Sequence, residues 1–420
     1  MSGQADEGRA VDGGGGQVQP PLAGLRVVEL AYVMAGPVCG RMLADMGADV
    51  VKVERVDVGD DTRRFVPPTV ADQSAAFMML NRNKRGMAAD LKTEAGNAVV
   101  RRLIDRSDVV VENFRTGTME RLGLGYDVLS ATNPGLIYCE ISGFGRTGPL
   151  AHLGGFDLIA QGYSGLMSVT GEEPGRPPVK CGPPLTDITA GILGAMGVLA
   201  AYAHRLRTGM GQRVDTSLFE AGVTHTYWQA AIALATGISP GPLGSAHPLS
   251  APYQAFETAD GWITVGASSQ ASWERLPDVV GLPELAGDER FRANSDRMAN
   301  LEDLVRVLAP KFREASTADW AHRLADAGIP AGPVASVGEM LEHPQTLARD
   351  MVTEVQHAVA GSVRTLGFPV KFSGTPARVN SGAPVLGQHT REILRELDYS
   401  ADEVEAMIQD GAVAAWDPPH

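Results

Sequence analysis

The sequence predicts an α/β protein with a mostly parallel sheet. Two observations carry this. Short apolar runs recur through the first 142 residues: LRVVEL, VVKVE, MAADL, VVVEN and LIYCEIS. Helical patterns stand between several of them, and strands alternating with helices imply βαβ units. After LRVVEL comes AYVMAGPVCGRMLADMGADV, where Pro37 suits a first helical turn and Gly47 a helix end. After MAADL comes EAGNAVVRRLIDRS, with Thr93 placed as its N-cap. A longer apolar helix is predicted from Ile188 to His204, with Gly191, Gly194 and Gly197 clearing one side for close approach of another backbone.

The texture changes after about residue 222. TGISPGPLGSAHPLSAP is rich in Gly, Pro and Ser and reads as a connection. GWITVGAS reads as a strand, and helices are predicted in ANLEDLVRVLAPKFREAS and TADWAHRLADAG. A second shift comes near Gly338. VTEVQHAVAGSVRTLGF reads as a strand pair turned at Ala360-Gly361, and TREILREL and SADEVEAMIQDG as helices. The expected organisation is a tail at 1–21, a large domain at 22–222, a linker and small domain at 223–338, and a return at 339–420.

Composition bounds the function. The chain has 420 residues, 44% hydrophobic and 20% charged, as in a soluble globular protein. A formal charge of −14 argues against nucleic acid or an anionic membrane as main partner, yet leaves room for a local basic pocket. Cys39, Cys139 and Cys181 form no CxxC pair and read as reduced thiols of a cytoplasmic protein. The N-terminus has no apolar core, so it is not read as a signal peptide, and its four consecutive glycines look linker-like. The 16 residues between Asp187 and His204 are short for a membrane span of roughly 20 residues.

Several signatures are absent: no zinc spacing, no GxSxG elbow, no GxxxxGK[ST] loop. GFGRTG at 143–148 has the letters of a dinucleotide loop, but Pro149 follows and no helix is predicted to open there. It reads as a loop after a sheet strand. Basic residues follow the strand ends, among them Lys52, Arg55, Arg63, Lys84, Lys92 and Arg121. Several together would suit a phosphate-bearing ligand.

Asp187 heads the apolar helix. TDITAG fits an N-cap. The same position suits a nucleophile, because helix-terminal amides favour an ionised carboxylate that attacks an activated carbonyl. The two roles are compatible.

AGPVCGRMLADMGADVVKVER, LNRNKRGMAADLKTEAG, VVVENFRTGTMERLGLGYDVL, ISGFGRTGP, GGFDLIAQGYSGLMSVTG and PVLGQHTREIL together resemble the class III CoA-transferases across residues 22–398. That superfamily also contains α-methylacyl-CoA racemases. The resemblance implies a Rossmann-like large domain built from both chain ends, an inserted smaller α+β domain, and an interlocked homodimer. It implies Asp187 as nucleophile, passing through an aspartyl mixed anhydride and an aspartyl-CoA thioester. It implies coenzyme contacts at Val33, Arg55, Lys92, Asn113 and Arg121, with coenzyme A and acyl-CoA as substrates, no permanently bound cofactor and no metal. The racemases read GHD, with His and Asp as proton-transfer bases, where this chain has Gly155-Phe156-Asp157; a phenyl ring takes no proton. GSAHPLSAPYQAF at 244–256 resembles members that use succinyl-CoA with dicarboxylic acceptors, and makes His247 a candidate contact to a substrate carboxylate. The expected activity is therefore transfer of CoA, with racemisation or silent CoA binding as alternatives.

Overall fold

The structure, a computed structural model, describes residues 18–418. Residues 1–17 of the expected tail lie outside the described residues. The chain forms two compact units. One draws on the chain up to Glu140, on Gly194–Val214 and on the residues from Asp350; the other on Ile141–Leu193 and Asp215–Arg349.

The dominant feature is a seven-stranded sheet. Across it lie Val413–Ala414, Arg85–Ala89, Asp49–Glu54, Arg26–Leu30, Val109–Glu112, Ile137–Ser142 and Arg213–Ser217. Arg26–Leu30 pairs in parallel with Asp49–Glu54 on one side and Val109–Glu112 on the other. Arg85–Ala89 and Ile137–Ser142 extend these pairings in parallel, and Val413–Ala414 closes one side antiparallel. In chain order the five parallel strands lie 3-2-1-4-5. The direction of winding therefore reverses between Arg26–Leu30 and Val109–Glu112, and open α/β sheets commonly bind ligands beyond the carboxyl ends of the strands at such a reversal.

Sequence explains these elements locally. Val27, Val28 and Leu30 are buried, as are Val109 to Val111, so both strands bury side chains on both faces, as in parallel sheets, with Glu29 the one buried charge of the first. Helix Glu94–Asp105 begins at Thr93, whose hydroxyl accepts the Gly96 N–H at 3.1 Å. Its Val100 and Ile104 enter a core with Val28, Val51, Met87 and Val110, joined by Ile393 and Leu394 from the returning C-terminal segment. Hairpin Val352–His357 with Gly361–Leu366 turns at Gly361, whose φ of 68° is the left-handed region glycine reaches without strain.

In the second unit, Tyr253–Glu257, Trp262–Gly266 and Ala331–Pro333 form an antiparallel sheet. Helices Leu301–Phe312 and Thr317–Asp326 accompany it, and Phe256 stacks on Phe312 with centroids 4.6 Å apart. This gives the unit its own core with Trp273, Phe291 and Trp320.

Helix Leu185–Thr208 is longer than expected. By length and composition this 24-residue helix could cross a membrane, although Asp187 stands in its first turn and Arg205 and Arg207 in its last. Within the fold, Ala190, Ala195, Val198 and Ala201 are buried. Gly197 has a packing reason: a Cβ there would lie 2.5 Å from the Val214 side chain.

Candidate active site

Asp187 is the third residue of helix Leu185–Thr208, and the helix begins before it. The N-cap expectation is therefore corrected. The carboxylate that satisfies the helix start comes from elsewhere: Asp157 Oδ1 accepts the Thr186 N–H at 2.9 Å and the Thr186 hydroxyl at 2.8 Å. Asp157 Oδ2 accepts from the Gln161 amide at 2.8 Å, and Gln161 Oε1 in turn accepts the Cys181 N–H at 2.9 Å. Gln161 is fully buried and ties the segment before the helix to the carboxylate that caps it.

This leaves Asp187 uncommitted. Among the described residues its carboxyl makes no hydrogen bond, and it is partly buried. Burial, then the neighbouring Asp157, push it up to about 7. Helix-terminal amides alone would favour ionisation; here desolvation and a like charge win. A carboxyl with this balance exists in both forms near neutral pH. Unencumbered by hydrogen bonds, its anion keeps its nucleophilicity.

The first glycine of GFGRTG has a packing reason. No helix opens at Gly148; the chain continues through a loop to helix Asp157–Tyr163. A Cβ on Gly143 would sit 2.6 Å from Gly155 Cα, and one on Gly155 would sit 2.5 Å from Gly143 Cα. The two backbones cross in contact, which sets the position of Gly155-Phe156-Asp157. Phe156 is 72% exposed and leaves Asp157 as the polar member of that turn. Sequence reasoning missed Asp157 and Gln161 as a pair. The available signal was their i, i+4 spacing on a helix start.

The five residues expected to contact coenzyme all lie in the first unit, in segments following parallel strands. Val33 follows Arg26–Leu30, Arg55 follows Asp49–Glu54, Lys92 follows Arg85–Ala89, and Asn113 follows Val109–Glu112. Arg121 ends the short helix Thr118–Arg121 beyond Asn113. Two segments meet at the winding reversal: Asn113 Oδ1 accepts the Tyr32 N–H at 2.9 Å, and its amide donates to Tyr32 O at 2.8 Å. The Arg55 guanidinium lies 5.1 Å from the Tyr32 ring centroid and donates to Asp61 at 2.7 Å. Lys92 and Arg121 are exposed.

The wider set of basic residues divides sharply. Lys52, Arg82 and Lys84 are buried in ion pairs with Glu29 and Asp60, with Asp45, and with Glu29 respectively. Arg63 pairs with Glu54, and Arg85 with Asp49, Glu392 and Glu396. These hold the unit together rather than facing a ligand.

His247 lies in the second unit between two aromatic rings, 5.9 Å from Trp228 and 5.3 Å from Tyr253 by centroid. Its Nδ1 accepts the Leu249 N–H at 3.1 Å, so in the neutral ring Nε2 carries the proton. No group of three or more His, Cys, Asp or Glu suited to a metal occurs among the described residues.

The parallel sheet, wound outward in two directions from Arg26–Leu30, makes this an α/β protein of doubly wound type. Residues 22–390 match the model of CoA-transferase family III, and the chain belongs to that family. It is 40% identical to the succinate–glutarate CoA-transferase of Agrobacterium fabrum, over 90% of this chain and 96% of that one. It is likewise 40% identical to the succinyl-CoA:mesaconate CoA-transferase of Haloarcula hispanica, over 89% of this chain and 96% of that one. Among solved structures it resembles a CAIB/BAIF family protein from Brucella suis, at 41% identity and a TM-score of 0.81, over 91% of this chain and all of that one.

Proposed function

We propose that this enzyme transfers CoA from succinyl-CoA to a dicarboxylic acid, with Asp187 as the nucleophile. The observation that carries the reading is Asp187 itself, a carboxyl without a hydrogen-bond partner among the described residues, next to a second carboxylate that is fully engaged. An Asp187 oxygen attacks the thioester carbonyl carbon and the C–S bond breaks. Asp187 then carries a mixed anhydride, and CoA leaves as the thiolate. The thiolate attacks the aspartyl carbonyl, forming an aspartyl-CoA thioester and releasing succinate. The acceptor carboxylate repeats these steps in reverse, restoring Asp187. Covalent catalysis divides one difficult exchange into easier ones.

Dicarboxylic substrates are supported by the glutarate and mesaconate enzymes above, and succinyl-CoA by the latter's name. His247, with Nε2–H free of the Leu249 contact, is proposed to meet the distal carboxylate. Val33, Arg55, Lys92, Asn113 and Arg121 are proposed to hold the coenzyme nucleotide at the winding reversal, where α/β sheets bind such ligands. The division at 222 and 338, an interlocked homodimer and a cytoplasmic location belong to the same proposal. Helix Tyr227–Thr236 supports a partner: none of its residues is buried, and Leu234 is 89% exposed.

The test is an exchange assay. Purified protein is given succinyl-CoA with glutarate, mesaconate or malate, and new acyl-CoA is measured beside α-proton exchange in deuterated water. Formation of the acceptor's CoA ester without α-exchange is expected. Exchange of the α-proton without a new ester contradicts the reading.

A further inference from the structure

We propose that the buried Lys52–Asp60 ion pair is a positioning clamp for the turn Ala31–Val33 at the winding reversal, presetting it for the coenzyme nucleotide. This rests on the assignment of that turn to the nucleotide.

The turn leaves strand Arg26–Leu30 and places Val33 at φ 64°, a conformation that a β-branched residue rarely adopts. Something must hold it there. Both sides of the turn are gripped by one ion pair. Lys52 Nζ donates to Ala31 O at 2.7 Å and stands 2.9 Å from Asp60 Oδ2. Asp60 Oδ1 accepts the Val33 N–H at 3.1 Å, together with the Thr62 N–H and hydroxyl at 2.9 and 2.8 Å.

The pair is itself braced. Lys52 Nζ also donates to Glu29 Oε1 at 3.0 Å, and Lys84 stands 2.7 Å from Glu29 Oε2. The Asp60 N–H donates to Glu54, which Arg63 grips with two nitrogens. The side chains of Lys52, Glu29, Asp60 and Lys84 are all fully buried. A room-making glycine accompanies them: a Cβ on Gly40 would fall 1.8 Å from Glu29 Oε2. Burial alone would lower Lys52 and raise Asp60. Instead, the carboxylates of Asp60 and Glu29 hold Lys52 above its ordinary range, and Lys52 holds Asp60 below its own. The clamp is thus a charged pair; a buried pair is weak evidence of added stability, and its role in this proposal is to fix the turn. A turn fixed before the ligand arrives spares the ordering cost of binding.

The test uses the full chain with Asp60→Asn and Arg55→Ala. For Asp60→Asn the KM for succinyl-CoA should rise about tenfold through lost preorganisation, with kcat and the acceptor KM little changed. Arg55→Ala should weaken CoA binding in calorimetry. If Arg55→Ala weakens CoA while Asp60→Asn binds it as the native chain does, the clamp is overturned and the nucleotide site stands. If both bind CoA normally, the nucleotide assignment falls and the clamp with it. Should Asp60→Asn not fold, amide exchange on the native chain decides. Slow exchange at Val33 without CoA supports a preset turn; fast exchange that slows only on adding CoA overturns it.

Discussion

At the residue scale the central feature is the division of labour between two neighbouring carboxylates. Asp157 is spent on Thr186 and Gln161, while Asp187, without a hydrogen bond among the described residues, is the proposed nucleophile. This makes a pH prediction. In the proposed mechanism only ionised Asp187 attacks, and its folded value of about 7 lies above the ordinary 3.8. Transfer should therefore rise with pH through about 7, falling roughly tenfold per unit well below it. Asp157→Asn removes the like charge but keeps an oxygen for Thr186, so the midpoint should move to lower pH. Burial remains, so it should stop short of 3.8. A pH–rate profile of both proteins checks this; an unmoved midpoint would remove Asp157 from the electrostatics. Asp187 was legible in the sequence as a lone charge before an apolar helix. Its environment was not, because Asp157 is 30 positions away in the chain and meets it only in the fold.

At the element scale the glycines of Gly143 and Gly155 matter through what they exclude. Their backbones touch, and a methyl group on either would overlap main-chain atoms that have no easy escape. Gly143→Ala should displace the turn that carries Asp157. Transfer is expected to drop by about 100-fold, since small displacements of catalytic groups cost that much, with CoA binding retained. Steady-state kinetics beside calorimetry separates the two. The parallel strands were legible because their apolar runs are buried on both faces. Arg213–Ser217 was not, since its alternating polar residues sit at a sheet edge. The basic residues misled for a related reason. Charge after a strand end suggests a ligand, but Lys52 and Lys84 turn inward to carboxylates that sequence spacing does not connect.

At the scale of the whole molecule, the described residues leave apolar side chains exposed. Tyr227, Trp228 and Leu234 are exposed along one helix whose only polar side chains besides the Tyr227 and Trp228 rings are Gln229 and Thr236. The proposed homodimer would bury this helix against a second copy. Light scattering after gel filtration should give a mass twice the 44.3 kDa of the chain. Leu234→Glu should weaken the dimer, because it places a charge in an apolar contact; a monomeric native protein would leave this helix unexplained. The sequence alone suggested an α/β chain with changes of texture. It could not show that residues 141–193 fold compactly with 215–349, since that grouping depends on long-range packing.

The most direct test of the account is covalent trapping at Asp187. The native protein is incubated with succinyl-CoA without acceptor, quenched with hydroxylamine or borohydride, and mapped by peptide mass spectrometry. Modification of Asp187, absent in Asp187→Ala although that variant still binds CoA, is the predicted result. Modification at another residue, or none while turnover proceeds at a normal rate in Asp187→Ala, would contradict Asp187 as the nucleophile.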